Sequence, residues 1–390
     1  MNIKLKKAKE KAVLNFHPWI FSGAISDVEK GIKDGDTVKV VSDSGIFLGY
    51  GHFDSNSQIR VRLFSFVENE SDNQNDFWQS RWENVWNRKK ALLDFEQTNG
   101  FRFLFSEGDL SPGFIVDCYD KTAVMLIRTP GAERHKSELI HFLMAKGFDT
   151  IIEKIDKSDE KEKSSYIHHK GNSGLVQFKE NSFEFVVNCH EGQKTGFFLD
   201  QRDNRYLLSS FSKNKTVLNA FGYSGAFSVY ALKGSAKLVH TLDISKTAID
   251  LCEQNIKLNF SNQLTAFQHK GIVADTFSFL KEMDPDFYDL IVLDPPAFTK
   301  NISKIQAAAR GYKDINLRAM QKIKKGGVIF TFSCSQHISV DLFRKIVFGA
   351  AKDSGRNVRV LHTLSQSWDH GFSIYHPEGE YLKGLVIQVD

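Results

Sequence analysis

Cysteine and proline are both scarce in this chain, with 4 and 7 among 390 residues. Cys118, Cys189, Cys252 and Cys334 stand far apart, with no Cys-x-x-Cys pair and no histidine at ligand spacing. That pattern argues against a zinc site and against a disulfide framework, and a reducing cytoplasm is the expected compartment. No run approaches the ~18 apolar residues of a membrane span. The basic start, MNIKLKKAKEKAVLNF, has no apolar core leading to a cleavage site, so neither export nor membrane insertion is expected. A Gly-x-Gly-x-x-Gly fingerprint is missing, which disfavours a dinucleotide enzyme. Excess charge is small: 51 Lys and Arg against 47 Asp and Glu leave a formal +4, which permits a nucleic-acid partner without requiring one. There is no internal repeat. What is present is a globular composition, 41% hydrophobic and 25% charged with 33 Phe, over a length that calls for two or three cores.

Residues 1–70 hold short β-rich runs, VKVV (38–41), GIFLGYGHF (45–53) and QIRVRLFSF (58–66), split by turn signals such as Lys33-Asp34-Gly35-Asp36. This predicts a small β-barrel. Arg60 and Arg62 alternate with apolar residues on its last strand and could face phosphates or simply water. Over 71–99 the chain turns polar and then helical, with Trp78, Trp82, Val85, Trp86, Lys89 and Leu93 at three- and four-residue spacing, a stripe read as packing. Residues 100–188 alternate strands around one helical stretch, 135–146, and predict a small α+β domain. Within it, 157–174 is charged and glycine-bearing and reads as an exposed loop that includes His168 and His169. From 189 to 390, strands alternate with longer amphipathic helices, the pattern of a doubly wound α/β domain. Its strands are TVLNAF (216–221), KLVHTLDIS (237–245), YDLIVLD (288–294), GGVIFTFSCS (326–335), VRVLHTL (358–364) and YLKGLVIQV (381–389).

Chemistry gathers at the carboxyl ends of these strands, where open α/β sheets bind ligands. Asn219 to Gly225 (NAFGYSG) follows the first strand and opens a helix, a nucleotide-type loop or a plain strand-to-helix turn. Asp243 ends the next strand about 20 residues on, placed to accept hydrogen bonds from ribose hydroxyls. Asp275 opens a later helix, as an adenine contact or an N-cap. Asp294-Pro295-Pro296-Ala297-Phe298 leaves one strand and Ser333-Cys334-Ser335 the next, so a carboxylate and a thiol should converge on one cleft.

The strings KTGFFLDQRDNR (194–205), VLNAFGYSGAFS (217–228), LDPPAF (293–298), ARGYKDIN (309–316), TFSCS (331–335) and PEGEYLKG (377–384) resemble the S-adenosylmethionine-dependent 23S ribosomal RNA cytosine-C5 methyltransferases that carry an N-terminal PUA domain. FHPWIFSGAI (16–25) and FSEGDLSPGFIVDCYD (105–120) extend the likeness over essentially the whole chain. The resemblance implies a C-terminal class I, Rossmann-like, doubly wound seven-stranded methyltransferase domain, preceded by a PUA β-barrel and a small α+β middle domain. It implies S-adenosylmethionine as cofactor and S-adenosylhomocysteine as product. Gln201, Arg202, Asn219, Phe221, Gly222, Gly225, Asp243, Asp275 and Asp294 would hold the cofactor. Cys334 would be the nucleophile and Asp294 its catalytic partner. The implied partner is 23S ribosomal RNA lacking its full protein coat, with no membrane; a homodimer is an assembly to test.

Those residue types suit the reaction. C5 of cytosine is a poor nucleophile, and thiolate addition at C6 turns the ring into an enamine-like species whose C5 can attack a methyl. The cationic cofactor and local donors should lower the thiol pKa, and Asp294 could hydrogen-bond the base at N3 or N4. The target nucleotide must be unstacked to reach the cleft. The Asp-Pro-Pro loop has no second cysteine, so the base that takes the C5 proton is Asp294, a water or another group. Asp-Pro-Pro-Ala-Phe also resembles the motif of exocyclic-amine methyltransferases, which need no thiol, and a non-catalytic RNA-binding assembly factor is the alternative from another class.

Overall fold

The computed structural model describes residues 1–72, 76–155, 163–169, 174–192, 194–260, 268–299 and 301–390. They divide into two compact units. The first comprises Met1–Ser182, Val187–Phe197 and Trp368–Gly379; the second comprises Phe183–Val186, Phe198–Ser367 and Glu380–Asp390. Among the described residues no helix is long and apolar enough to cross a membrane.

In the first unit, alternation of apolar and polar residues builds a six-stranded sheet in the order Trp19–Phe21, Ile59–Ser65, Phe47–Phe53, Thr37–Val41, Asn2–Leu5, Ile25–Val28. Ile3, Leu5, Val38, Val40, Val61 and Leu63 bury one face. Arg62, on that sheet, is taken up by Asp54 at 3.6 Å and Glu107 at 3.7 Å, and Arg60 donates to the carbonyls of Asp54 and Ser55. Both arginines therefore have intramolecular partners. A five-stranded sheet follows in the order Lys163–His169, Thr150–Ile155, Thr122–Ile127, Phe114–Tyr119, Gly100–Phe105. His168 and His169 lie on its edge strand, opposite Ile151 and Thr150, where the sequence reads as loop; 157–162 and 170–173 fall outside the described residues. Backbone pairing with the Thr150–Ile155 strand decides that conformation, and the charged side chains conceal it.

The tryptophan stripe forms the helix Phe77–Leu92. Trp78 and Trp82 stack at 5.7 Å and enter one core with Phe64, Phe114 and Phe142. Lys89, on the same stripe, is buried; burial pushes its ammonium pKa down, opposed by Asp109 and Asp369, and Nζ donates to the Asp369 carbonyl at 2.5 Å.

Beside Trp78 sits a buried polar clasp. Asp72 Oδ2 lies 2.8 Å from His52 Nε2 and 2.9 Å from His135 Nε2, while Oδ1 accepts from Thr37 Oγ1 at 2.6 Å. Burial alone would raise the Asp72 carboxyl, but hydrogen bonds from the two histidines outweigh it and hold the pKa well below the carboxylate range. Burial lowers His52 further than Asp72 can restore. For His135 burial also pulls downward, yet Asp72 and Glu138 outweigh it and leave it raised.

The second unit runs α1 (Arg202–Phe211), β1 (Thr216–Ala220), α2 (Ala226–Lys233), β2 (Leu238–Asp243), α3 (Lys246–Phe260), β3 (His269–Val273), α4 (Thr276–Glu282), β4 (Leu290–Leu293), α5 (Ile305–Lys322), β5 (Gly327–Ser333), α6 (Val340–Ser354), β6 (Val358–Ser365), β7 (Lys383–Val389). These strands make a seven-stranded sheet in the order β3-β2-β1-β4-β5-β7-β6, parallel except for β7. β1 and β4 are buried throughout, as a central parallel strand covered on both faces must be. The strand order reverses between β1 and β4, and the carboxyl ends there open the ligand crevice of such sheets.

The clasp has measurable consequences. Asp72→Asn should cost about 3 kcal/mol of first-unit stability, because it leaves buried histidines partly unpaired. Urea unfolding followed by tryptophan emission checks this, since Trp78 stacks on His52 at 5.8 Å. His135, raised in the fold, contributes stability that is present below its unfolded value near ~6.5 and is lost as pH climbs through the folded value. His52, lowered, contributes in the opposite sense. His135→Gln should therefore remove the alkaline decline of stability and leave the acid-side loss from Asp72 and His52 in place.

Candidate active site

The turn after β1 is conformationally strained. Phe221 and Tyr223 adopt φ of 59° and 45°, a left-handed backbone that non-glycine residues hold only under constraint and that clusters at ligand sites. Gly225 follows at φ 75°, where an added Cβ would lie 2.2 Å from Cys252 Sγ; at Gly222 it would lie 2.4 Å from Thr241 Cγ2. Both glycines are thus required by packing of the turn onto β2 and α3. Asp243 locks the same turn: Oδ2 accepts from Tyr223 N at 3.0 Å and Oδ1 from Ser245 N at 2.9 Å. A carboxylate has about four acceptor positions, so capacity remains on each oxygen.

Asn219 is 1% exposed. Its Nδ2 donates to Ser228 Oγ at 2.9 Å, Ser228 pairs with Thr241 at 2.6 Å, and Oδ1 is buried without a hydrogen-bond partner. Gln201, 2% exposed, accepts from Asn204 Nδ2 at 2.6 Å, while its Nε2 is a buried donor without a hydrogen-bond partner. Unsatisfied buried groups are costly, so Asn219 Oδ1 and Gln201 Nε2 leave one acceptor and one donor for a polar ligand such as an α-amino acid. The residues therefore fit an amino-acid-bearing cofactor. Arg202 is buried, its Nε 3.6 Å from Asp203. Phe198, three residues before Gln201, meets the Tyr223 ring edge-on at 5.4 Å, which brings this segment to the β1 turn. Asp275 caps α4 by accepting from Ser278 N at 2.9 Å, and the helix it opens carries Phe277, 6.5 Å from Phe221.

β4 and β5 pair in parallel with Leu293 opposite Thr331, so Asp294-Pro295 and Ser333-Cys334 leave the sheet side by side. Cys334 Sγ donates to the Pro295 carbonyl at 3.8 Å. Cys118, Cys189 and Cys252 are fully buried, and burial pushes all three thiols upward, Cys189 and Cys252 to about 12. Among the four cysteines, Cys334 is the one with partial exposure. Asp294 is also partly exposed. An aromatic wall runs from Phe221 through Phe277 and Phe298 to Tyr312, with centroids 6.5, 5.9 and 4.5 Å apart. Tyr312, in the middle of α5, places its hydroxyl 2.9 Å from Ser335 Oγ, next to the thiol.

Two residues in this neighbourhood carry no role in the sequence analysis. Tyr312 looks like one more apolar position of an amphipathic helix; its signal is the glycine before it, since a Cβ on Gly311 would lie 3.1 Å from the Phe298 ring. Lys383 opens β7, whose next four residues, Gly384 to Ile387, are apolar, and is 3% exposed, a cation where the pattern expects none.

A PUA-like domain model matches residues 3–66, and an S-adenosylmethionine-dependent methyltransferase model matches residues 170–362. The chain is 38% identical over 393 residues to the ribosomal RNA large subunit methyltransferase I of Alteromonas mediterranea, covering 99% of this chain and 98% of the relative. To the protein of that name from Aeromonas salmonicida it is 39% identical over 394 residues, with the same coverage. Its fold is similar to that of an S-adenosylmethionine-dependent methyltransferase from Streptococcus mutans, at a TM-score of 0.85 and 21% identity over 100% of both chains. A methyltransferase solved as a complex with S-adenosylhomocysteine gives the same TM-score at 22% identity over 100% of both chains. With relatives of this identity spanning almost its whole length, the chain belongs to the ribosomal RNA large subunit methyltransferase I family, S-adenosylmethionine-dependent enzymes that carry a PUA-like domain.

Proposed function

We propose that this protein methylates C5 of a cytosine in 23S ribosomal RNA, with Cys334 as the attacking thiolate and Asp294 as the group that engages the base. Family membership supplies the reaction class, methyl transfer from S-adenosylmethionine to large-subunit ribosomal RNA. The choice of atom rests on one observation: the single partly exposed thiol of the four stands at the end of β5, 3.8 Å from the carbonyl of the Asp-Pro-Pro turn. A base-nitrogen methyltransferase has no use for that thiol.

Bound S-adenosylmethionine supplies an electrophilic methyl group. Asn219 and Gln201, with their orphan acceptor and donor, would hold its amino-acid end; Asp243 would take the ribose, Asp275 the adenine, and Phe221, Gly222, Gly225 and Arg202 would enclose it. Cys334 adds to C6 of the cytosine, which loads electron density onto C5. Asp294 favours that addition through the N3 and N4 edge of the ring. Once C5 carries the methyl, its proton leaves to a base, the C5–C6 double bond re-forms and the thiolate departs, so Cys334 is regenerated. Phe298, partly exposed and backed by the buried Tyr312 ring, gives an unstacked base a face to lie against.

Cys334→Ala should reduce methyl transfer to protein-free 23S RNA by at least about 10³-fold, with wild-type cofactor affinity by calorimetry. Nucleoside mapping of the RNA should locate the product as 5-methylcytidine. Undiminished turnover in the variant, or methyl on a base nitrogen, overturns the assignment. Thiol titration with a disulfide reagent should consume one thiol in native protein and four in denaturant, because three are sealed in cores.

A further inference from the structure

β7 lies antiparallel to β5 with Lys383 directly opposite Ser333, the residue before the thiol. Lys383 Nζ turns back under the segment that follows β5, donating to the Ser335 carbonyl at 2.8 Å and to the Ile338 carbonyl at 2.6 Å. One side chain thereby fixes the path of the backbone on the C-terminal side of Cys334. The ammonium is buried, and a buried cation is retained only against an anion or strong acceptors. Its charged neighbours are Cys334 and Glu380, with Arg344 lining the same small cavity of about 240 Å³ as Glu380 and Lys383. Tyr312 reaches the group from α5 through Ser335. Burial draws the Lys383 pKa down to about 8, and Cys334 is the neighbour that opposes this most. The interaction is reciprocal, so the cation favours the ionised thiol by the same coupling.

The resting thiol also has a problem that Lys383 resolves. Cys334 donates its S–H to the Pro295 carbonyl, and on ionisation that carbonyl faces an anion. The Lys383 ammonium, held on the carbonyls of Ser335 and Ile338, offsets the repulsion before any cofactor arrives.

We propose that Lys383 is the positioning residue of the active site, holding the Cys334 loop by its two carbonyls and stabilising the thiolate electrostatically. This rests on Cys334 being the nucleophile, but its test does not depend on turnover. The rate of carboxamidomethylation of Cys334 by iodoacetamide, followed by peptide mass spectrometry against pH, gives the thiol's titration midpoint in full-length protein. The wild-type midpoint should fall below the ordinary thiol value of ~8.5. In Lys383→Met it should rise by about one pH unit, and Lys383→Arg should stay near wild type. Equal midpoints in wild type and Lys383→Met overturn the proposal, whatever the activity of either. Should Lys383→Met fail to fold, the wild-type midpoint decides: a value at or above ~8.5 overturns it as well. Failure of the C5 reaction would appear instead as activity in Cys334→Ala with the alkylation shift intact, which separates the two claims.

Discussion

Parallel pairing between β4 and β5 is the constraint on which the site depends. Because Leu293 lies opposite Thr331, the next residues of both strands emerge from the same edge of the sheet with no freedom to diverge. The Asp-Pro-Pro turn and a thiol remote from it in the chain meet through that register, Cys334 Sγ on the Pro295 carbonyl. Shifting β5 by one residue would turn its side chains, and the thiol that follows them, to the other face of the sheet. The apolar residues of β4 and β5 therefore position the Asp294 turn and Cys334 as well as stabilise the sheet. Ile291, Leu293 and Ile329 are wholly buried in one cluster with Tyr312, whose hydroxyl reaches back to Ser335.

The turn proposed to hold the cofactor is organised by a different force. There the turn after β1 holds two non-glycine residues at positive φ, and it is kept so by Asp243, by the close approach of Gly222 and Gly225 to Thr241 and Cys252, and by the Ser228–Thr241 bond. Cys252 is thus a packing residue of the turn after β1, with its thiol pushed up to about 12 by burial, while Cys334, partly exposed, is the thiol proposed to react. One residue type performs two tasks, and burial separates them.

How much of this could be read from the residues depended on the kind of interaction. Periodicity revealed the doubly wound sheet and most of its strands, because apolar runs such as those of β1, β4 and β5 answer directly to burial. β3 was harder: HKGIV is an edge strand with no fully buried residue and no apolar run. The strand at Lys163–His169 was hidden in the same way, since backbone pairing leaves little mark on a charged segment. Asp294 and Cys334 were legible because they end consecutive apolar runs. Lys383 was not, because its partners are backbone carbonyls more than 40 residues away, and a carbonyl has no sequence signature. The His52–Asp72–His135 clasp escaped for the same reason: its three members lie on segments that only the fold brings together.

The central claim is that Cys334 forms a bond to the RNA base. Incubating the protein and S-adenosylmethionine with 23S RNA containing 5-fluorocytidine should arrest the reaction after methyl transfer, because fluorine at C5 cannot leave as a proton does. Intact mass and peptide mapping should then show the nucleotide attached to Cys334. A protein that turns over native RNA but gives no adduct with the fluorinated RNA, or gives one at another residue, would contradict this account.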